Sequence, residues 1–250
     1  MNCGLYGLFV LLESQLGEEW KAENTVLADC AVVAGLYSQG GLDLRALPGI
    51  ACVLYELSVN AFDAFVHAWM SELPIQAETL RFGRKILAAG GTYVGNVQGN
   101  RAAAERAAAD RGDSDVKIVL DTAYKVWHEI DRMRGLLRFA PGGDGQYVAH
   151  CTPDYFVLPA LGEHFSLRFG DMPWSIVDDK RRVCLRRMPG MPPEICGAES
   201  RFVCQDSGFD GWEQLWRQYH KTINNEDRNN PGLQRRFMPK RYWQNLPEMQ

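Results

Sequence analysis

The chain has no CxxC pair, no HExxH or HxxxH and no ladder of zinc ligands, so nothing in it reads as a metal site. It has no P-loop, and the glycine-containing stretch GTYVGNVQG does not match a dinucleotide GxGxxG. Long apolar runs are missing too. The stretch from Leu5 to Leu12 stops at Glu13, has no basic region before it and is shorter than the about 20 residues a bilayer span needs, so it reads as a core helix and not as a signal peptide or membrane span. Net positive charge is also lacking. A formal charge of −4 over 250 residues excludes a generally basic, nonspecific DNA coat.

The chain does hold seven cysteines, Cys3, Cys30, Cys52, Cys151, Cys184, Cys196 and Cys204. An odd, scattered set without a leader reads as reduced and cytoplasmic. Hydrophobic content of 46% with 23% charged residues suits a globular protein with a sizeable core. The charge is unevenly spread. Residues 1–116 hold 8 Lys/Arg against 14 Asp/Glu, and residues 117–250 hold 19 against 17, so any anion site belongs to the second half.

Apolar spacing predicts a helix on Leu5, Leu8, Phe9, Leu12 and Leu16, and leaves residues 24–57 unassigned. Ser58 reads as the N-cap of a helix carrying Phe62, Phe65, Val66 and Trp69, followed by a second helix through Leu80, Ile86 and Leu87 to Gly90–Gly91. Residues 91–115 are alanine-rich with little to bury, and read as a solvated helix or flexible surface connector. Residues 116–134 form an amphipathic helix with Val116, Val119, Leu120, Ala123, Trp127 and Ile130 on its apolar face and Lys117, Lys125, Glu129, Asp131, Arg132 and Arg134 on its wet face. A hairpin around GGDG, a helix from Asp154 kinked near Pro159, and a second hairpin around Lys180–Arg181 follow. Residues 189–209 read as a linker, and the closing segment opens with the helix WEQLWRQYHKTI. The predicted fold is α+β: a mostly helical portion, residues 1–115, packed on a small antiparallel sheet of two hairpins with a docked C-terminal helix in residues 116–250.

Four groups of residues could carry chemistry. Glu129, Asp131, Arg132, Arg134 and Arg138 could hold a phosphate or shuttle a proton, or could be ion pairs at i,i+3 on a wet helix face. His164 and Arg168, four apart on one helix, could serve as base and electrophile, or His164 could be structural. His150 and Cys151 lack an evident orienting group. The run Lys180, Arg181, Arg182, Arg186 and Arg187 could contact phosphates or guard a sheet edge.

The closing segment is the densest. It packs Trp212, Trp216, Tyr219, His220, Tyr242 and Trp243 among Arg217, Lys221, Arg228, Arg235, Arg236, Lys240 and Arg241. Such a mixture grips a polyanion with bases to stack on, or staples a terminal segment to its domain. Phe237, Met238 and Trp243 read as anchors, leaving Arg236, Lys240 and Arg241 to face solvent or ligand.

HEIDRMRGLLRF, DYFVLPALGEHFSLRFGDMPWSIVDDKR and WEQLWRQYHKTINNEDRN with RRFMPKRYWQNLPE resemble the bacterial family catalogued as "probable DNA metabolism protein", domain of unknown function 4130, over about residues 58–248. The resemblance implies a gene neighbour of radical-SAM type acting in DNA modification or repair. Some relatives carry the domain fused to a uracil-DNA-glycosylase-like unit. The CxxxCxxC triad of radical-SAM chemistry is absent from this chain, so that chemistry is expected of the partner. The start MNCGLYGLFVLLE departs from the family's Tyr-Asp-Gly-Ser/Thr-Phe opening, as a diverged or truncated N-terminus would. Asp131 stands before Arg132 where relatives have His.

The expectation is an accessory protein of DNA modification or repair. It would contact nucleic acid through Arg132, Arg138, Arg181, Arg182, Arg236, Lys240, Arg241 and Trp243, with no cofactor, metal or membrane of its own. The alternatives are an enzyme on a modified base or nucleotide using Glu129, His164 and Arg168, and a scaffold without chemistry. No metal–carboxylate nuclease motif is evident, which argues against a double-strand cutter.

Overall fold

The computed structural model describes residues 5–14, 48–91, 100–142, 145–198, 215, 218–219, 221–223, 230–246 and 249. The chain divides into two compact units. One comprises Met1–Glu129 with Asp154–Ala160, the other Ile130–Pro153 with Leu161–Gln250.

The first unit is helical: α1 (Leu5–Ser14), α2 (Gly49–Leu57), α3 (Val59–Met70), α4 (Gln76–Gly90), α5 (Arg101–Ala109) and most of α6 (Ser114–Leu136). Ser58 caps α3 by accepting a hydrogen bond from the Ala61 amide at 3.0 Å, and Phe62 and Phe65 of α3 stack on Phe9 of α1. Helix α4 ends on Gly91, whose φ of 64° is the left-handed turn that glycine takes at no steric cost. Close approach sets a second glycine: a Cβ on Gly90 would stand 2.6 Å from a Leu57 methyl. Helix α2 lies in the stretch that the sequence pattern leaves unassigned.

The alanine-rich stretch proves to be more than a connector. Asn100 caps α5 at the Ala103 amide, and Ala104 and Ala108 are buried where α5 packs on α4. Alanine is what is buried there, so counting large apolar side chains misses the face. Helix α6 buries Val116, Val119, Ala123, Val126, Ile130 and Met133. Trp127, expected on this face, is 47% exposed with its ring against His128. The stripe therefore drifts by one position, as 3.6 residues per turn requires over a long helix.

The second unit carries a five-stranded sheet in the order β1 (Ala140–Pro141), β2 (Tyr147–Cys151), β3 (Trp174–Asp178), β4 (Val183–Arg187) and β5 (Glu194–Gly197). The α+β class matches the expectation, but the sheet is mixed. β2 and β3 run parallel, from Tyr147 opposite Trp174 to Cys151 opposite Asp178. The two expected hairpins are thus joined into one sheet by a crossover through the 3-10 turn Leu158–Leu161 and α7 (Gly162–Phe169). The first hairpin shrinks to two residue pairs at Pro141, which has no amide to donate. β5 lies inside the stretch expected to be a linker and pairs with β4. β3 is buried along its whole length, as a central strand must be.

The helix expected from Asp154 begins only at Gly162, after the 3-10 turn, and the amides of residues 154–156 donate to Glu129 and the Met70 carbonyl. Helix α8 (Pro231–Phe237), N-capped by Asn230, buries no side chain. Of WEQLWRQYHKTI, the described residues Leu215, Gln218, Tyr219 and Lys221–Ile223 are helical, and the rest of that expectation lies outside the described residues.

Candidate nucleic-acid interface

Glu129 does not belong to the wet face of α6. It is 1% exposed, and its two carboxylate oxygens accept hydrogen bonds from the Asp154 amide at 2.9 Å and the Tyr155 amide at 2.7 Å. The next amide, of Phe156, donates to the Met70 carbonyl. The carboxylate thus pins a backbone stretch that has no helical partners of its own, a structural task that buried amides demand.

The remaining charges on α6 divide. Arg138 turns back to donate to the Gly135 and Leu137 carbonyls, where a cation offsets the negative end of the helix. Arg132 is half-buried, and no ion pair joins Asp131 to Arg134 among the described residues. Instead Arg134 lies near His164 of α7. Burial first, then the positive charges of Arg134 and Arg168, hold the His164 pKa below its ordinary 6.5. The Nε2 of His164 and the Nε of Arg134 are buried without a hydrogen-bond partner among the described residues. Phe139, just beyond α6, packs on Phe165 and Phe169 and ties the end of α6 to α7. Arg134 and Arg168 set two positive charges near the His164 ring, and neither makes an ion pair with a carboxylate among the described residues. His164 and Arg168 were expected together; Arg134 was placed only in the helix-face cluster. Its separation by 30 positions from His164 leaves no local signal.

Most of the basic run on the second hairpin is committed to structure. Asp178, fully buried, accepts from the Lys180 and Arg181 amides and pairs with the Arg181 guanidinium at 2.8 Å. Arg181 also donates to the Pro153 carbonyl, so it is not an outward phosphate contact. Arg186 pairs with Glu194 across the β4–β5 ladder. Arg187 donates to the Ser166 and Gly170 carbonyls at the C-terminal end of α7. Arg182, with φ 55°, is exposed in the turn.

His150 does have an orienting group: its Nδ1 lies 2.9 Å from the Asp179 carboxylate. Cys151 is its neighbour in the strand and so points to the opposite face, where its thiol donates to the Val177 carbonyl. A Cys–His pair is therefore not formed between them. The Asp178–Asp179 pair before a turn was the available signal for both partnerships.

The closing segment combines the two roles its composition allows. Tyr242 is 2% and Leu246 0% exposed, and Gln244 donates to the Thr152 hydroxyl just beyond β2. Tyr242 and Leu246 are the anchors, in place of Phe237, which is 63% exposed. Trp243 is half-buried with its indole N–H on the Met238 carbonyl, and the Lys240 ammonium lies 5.7 Å from its ring centre. Arg241 lies over the Tyr242 ring and donates to its hydroxyl. Arg235, Arg236, Lys240 and Arg241 are all exposed, and residues 230–246 contain no Asp or Glu. Docking by Tyr242 and Leu246 thus displays four cations and Phe237 on one short stretch of 3-10 and α-helix.

No three His, Cys, Asp or Glu side chains gather as a metal cluster among the described residues, and none of their helices is long and apolar enough to cross a membrane. This is an α+β protein whose second unit displays cations. Residues 92–248 match the family model described as a domain of unknown function, DUF4130, and the chain belongs to that family. No curated protein and no solved structure matches it.

Proposed function

We propose that the protein is an accessory factor of DNA modification or repair that contacts nucleic acid through its second unit and works with a radical-SAM partner. The observation that carries this reading is the docked segment 230–246. Four exposed cations and an exposed aromatic ring stand there with no carboxylate in the segment. Guanidinium and ammonium groups neutralise phosphates, and rings such as Phe237 and Trp243 offer faces on which unpaired bases stack. The two guanidinium groups of Arg134 and Arg168 near the neutral His164 ring, with no ion pair to a carboxylate among the described residues, support the same reading, since such cations suit a phosphate. Both Glu129 oxygens accept from backbone amides, which favours a structural role for Glu129 over the alternative of an enzyme that uses Glu129, His164 and Arg168.

The test is binding of single- and double-stranded oligonucleotides by the full chain over a series of salt concentrations. Arg235→Glu with Arg236→Glu and Lys240→Glu should weaken binding and flatten its dependence on salt by about one unit of slope per lost phosphate contact. No salt-sensitive binding by the parent protein, alone or with its partner, sinks the proposal. A tight complex with the partner in which neither component binds DNA would favour a scaffold instead.

A further inference from the structure

Cys184 on β4 and Cys196 on β5 stand directly opposite each other in the antiparallel register. Opposed residues in such a pair hold their Cα atoms about 4.5–5.5 Å apart, inside the roughly 4.4–6.8 Å that a disulfide spans. Both side chains leave the same face of the sheet, and the two thiols are within hydrogen-bonding reach of each other. Cys184 is fully buried against Val148 and Val177, and Cys196 packs half-buried on the outside of that cluster. β5 is the last strand of the sheet order and is only half-buried, so its inner thiol is covered by an edge element.

We propose that Cys184 and Cys196 are a redox modification site that takes a low-molecular-weight disulfide, such as oxidised glutathione, and closes reversibly into a disulfide joining β4 to β5. The Cys196 thiolate attacks one sulfur of the small disulfide. Its S–S bond breaks, and the first small thiolate leaves and takes up the proton that Cys196 released. The Cys184 thiol then gives its proton to solvent and attacks the Cys196 sulfur of the mixed disulfide, expelling the second small thiolate, which is protonated in turn. Two protein thiols are oxidised and one small disulfide is reduced to two thiols, so electrons and protons balance. Access sets the order. Cys196 is the half-buried partner and is reached first, while Cys184 is buried and meets only the sulfur of the residue paired with it. Cys151 is not part of the site, since its buried thiol is directed at the Val177 carbonyl. The product pins an edge strand that, in the reduced form, is held by one ladder.

The experiment exposes the full reduced chain to a graded excess of oxidised glutathione, quenches it with acid, alkylates it under denaturing conditions and maps the peptides by mass spectrometry. The expected result is a cross-linked pair containing Cys184 and Cys196, both lost to alkylation together and both restored by dithiothreitol. Amide exchange in β5 should slow at least tenfold in the oxidised form. Cys184→Ser should arrest the reaction as a glutathione adduct on Cys196, and Cys196→Ser should leave Cys184 unmodified. Serine is close to cysteine in size, and the parent chain alone carries the main readout. Glutathione retained on Cys196 of the parent without a cross-link, a cross-link from Cys184 to any other cysteine, or full alkylation of both after oxidation each overturns the proposal.

Discussion

The same dipeptide has opposite fates in two places in the second unit. Arg186–Arg187 on β4 is held on both sides, Arg186 by Glu194 and Arg187 by the carbonyls that end α7. Arg235–Arg236 on α8 is exposed, in a helix that buries nothing. The contrast extends to the helical unit. There Arg81 makes a two-pronged bond to Asp115, Lys85 bridges Asp113 and Asp115, and the Asp113 carboxylate caps α6 at the amides of residues 115 and 116. Charges on packed elements are spent on each other or on backbone. Charges on the closing segment stay exposed even where they bond locally, Arg235 to the Pro231 carbonyl and Arg241 to the Tyr242 hydroxyl. Cation density along the chain therefore says little about ligand contact until the partners of each cation are known.

The largest test of this division is Glu129→Ala. It leaves two part-buried amides without their acceptor, at about 1 kcal/mol each, so a loss of about 2 kcal/mol is expected in urea unfolding. Glu129→Gln retains one good acceptor and should lose roughly half as much. An alanine variant as stable as the parent would remove the clamp from the account of the helical unit.

Gly90→Ala comes next. The new methyl meets Leu57 at a contact that real side chains do not tolerate, and overpacking of this kind costs about 1–3 kcal/mol. Gly135→Ala, on α6 with nothing near it, is the control and should gain up to about 1 kcal/mol from helix propensity. Equal effects at the two sites would mean that α4 is not as closely packed as described.

The arginine pairs sharpen the comparison directly. Arg186→Glu should lower the melting temperature by setting a carboxylate against Glu194, a cost of about 1 kcal/mol. Arg236→Glu should change stability by less than about 0.5 kcal/mol while weakening oligonucleotide binding. The reverse pattern would place the nucleic-acid contact on the sheet.

Two titrations give the smallest effects. Hydrogen bonds from Arg81 and Lys85 hold the Asp115 carboxyl down from 3.8 to about 2. Its folded pKa is the lower one, so the stabilisation is whole above pH about 4 and is lost as the pH falls through about 2. Asp115→Asn should make that acid limb of the stability curve shallower. For His164 the folded pKa is also the lower one, through burial and the charges of Arg134 and Arg168. The neutral ring is favoured, and its contribution to stability is lost as the pH falls below 6.5 toward the folded value. Arg168→Ala should move the His164 titration, followed by NMR, toward 6.5. No movement would separate Arg168 from His164.

Much of the helical unit was legible because its elements announce themselves locally. The Leu5–Leu12 stripe, the Ser58 cap and the Gly91 stop are each decided within a turn or two of chain. The candidate site was less legible, since Glu129 and Arg134 owe their roles to partners 25 or more positions away, Asp154 and His164. β5 was hidden because four residues in a Pro/Gly-rich stretch, two half-buried between two exposed, carry no periodicity of their own.

By itself the sequence determined the α+β class, the family, the Ser58 cap and Gly91 stop, and the surplus of cations in the second half. These follow from spacing, capping and composition, which act over a few residues. The tertiary structure alone decided that β2 and β3 run parallel, that Glu129 is a clamp and that Tyr242 rather than Phe237 docks the closing segment. It also decided which arginines have partners and that Cys184 meets Cys196. The reason is physical. A buried polar group must find its partner wherever the fold brings one, and strand pairing is set by register across the sheet and not by neighbours along the chain.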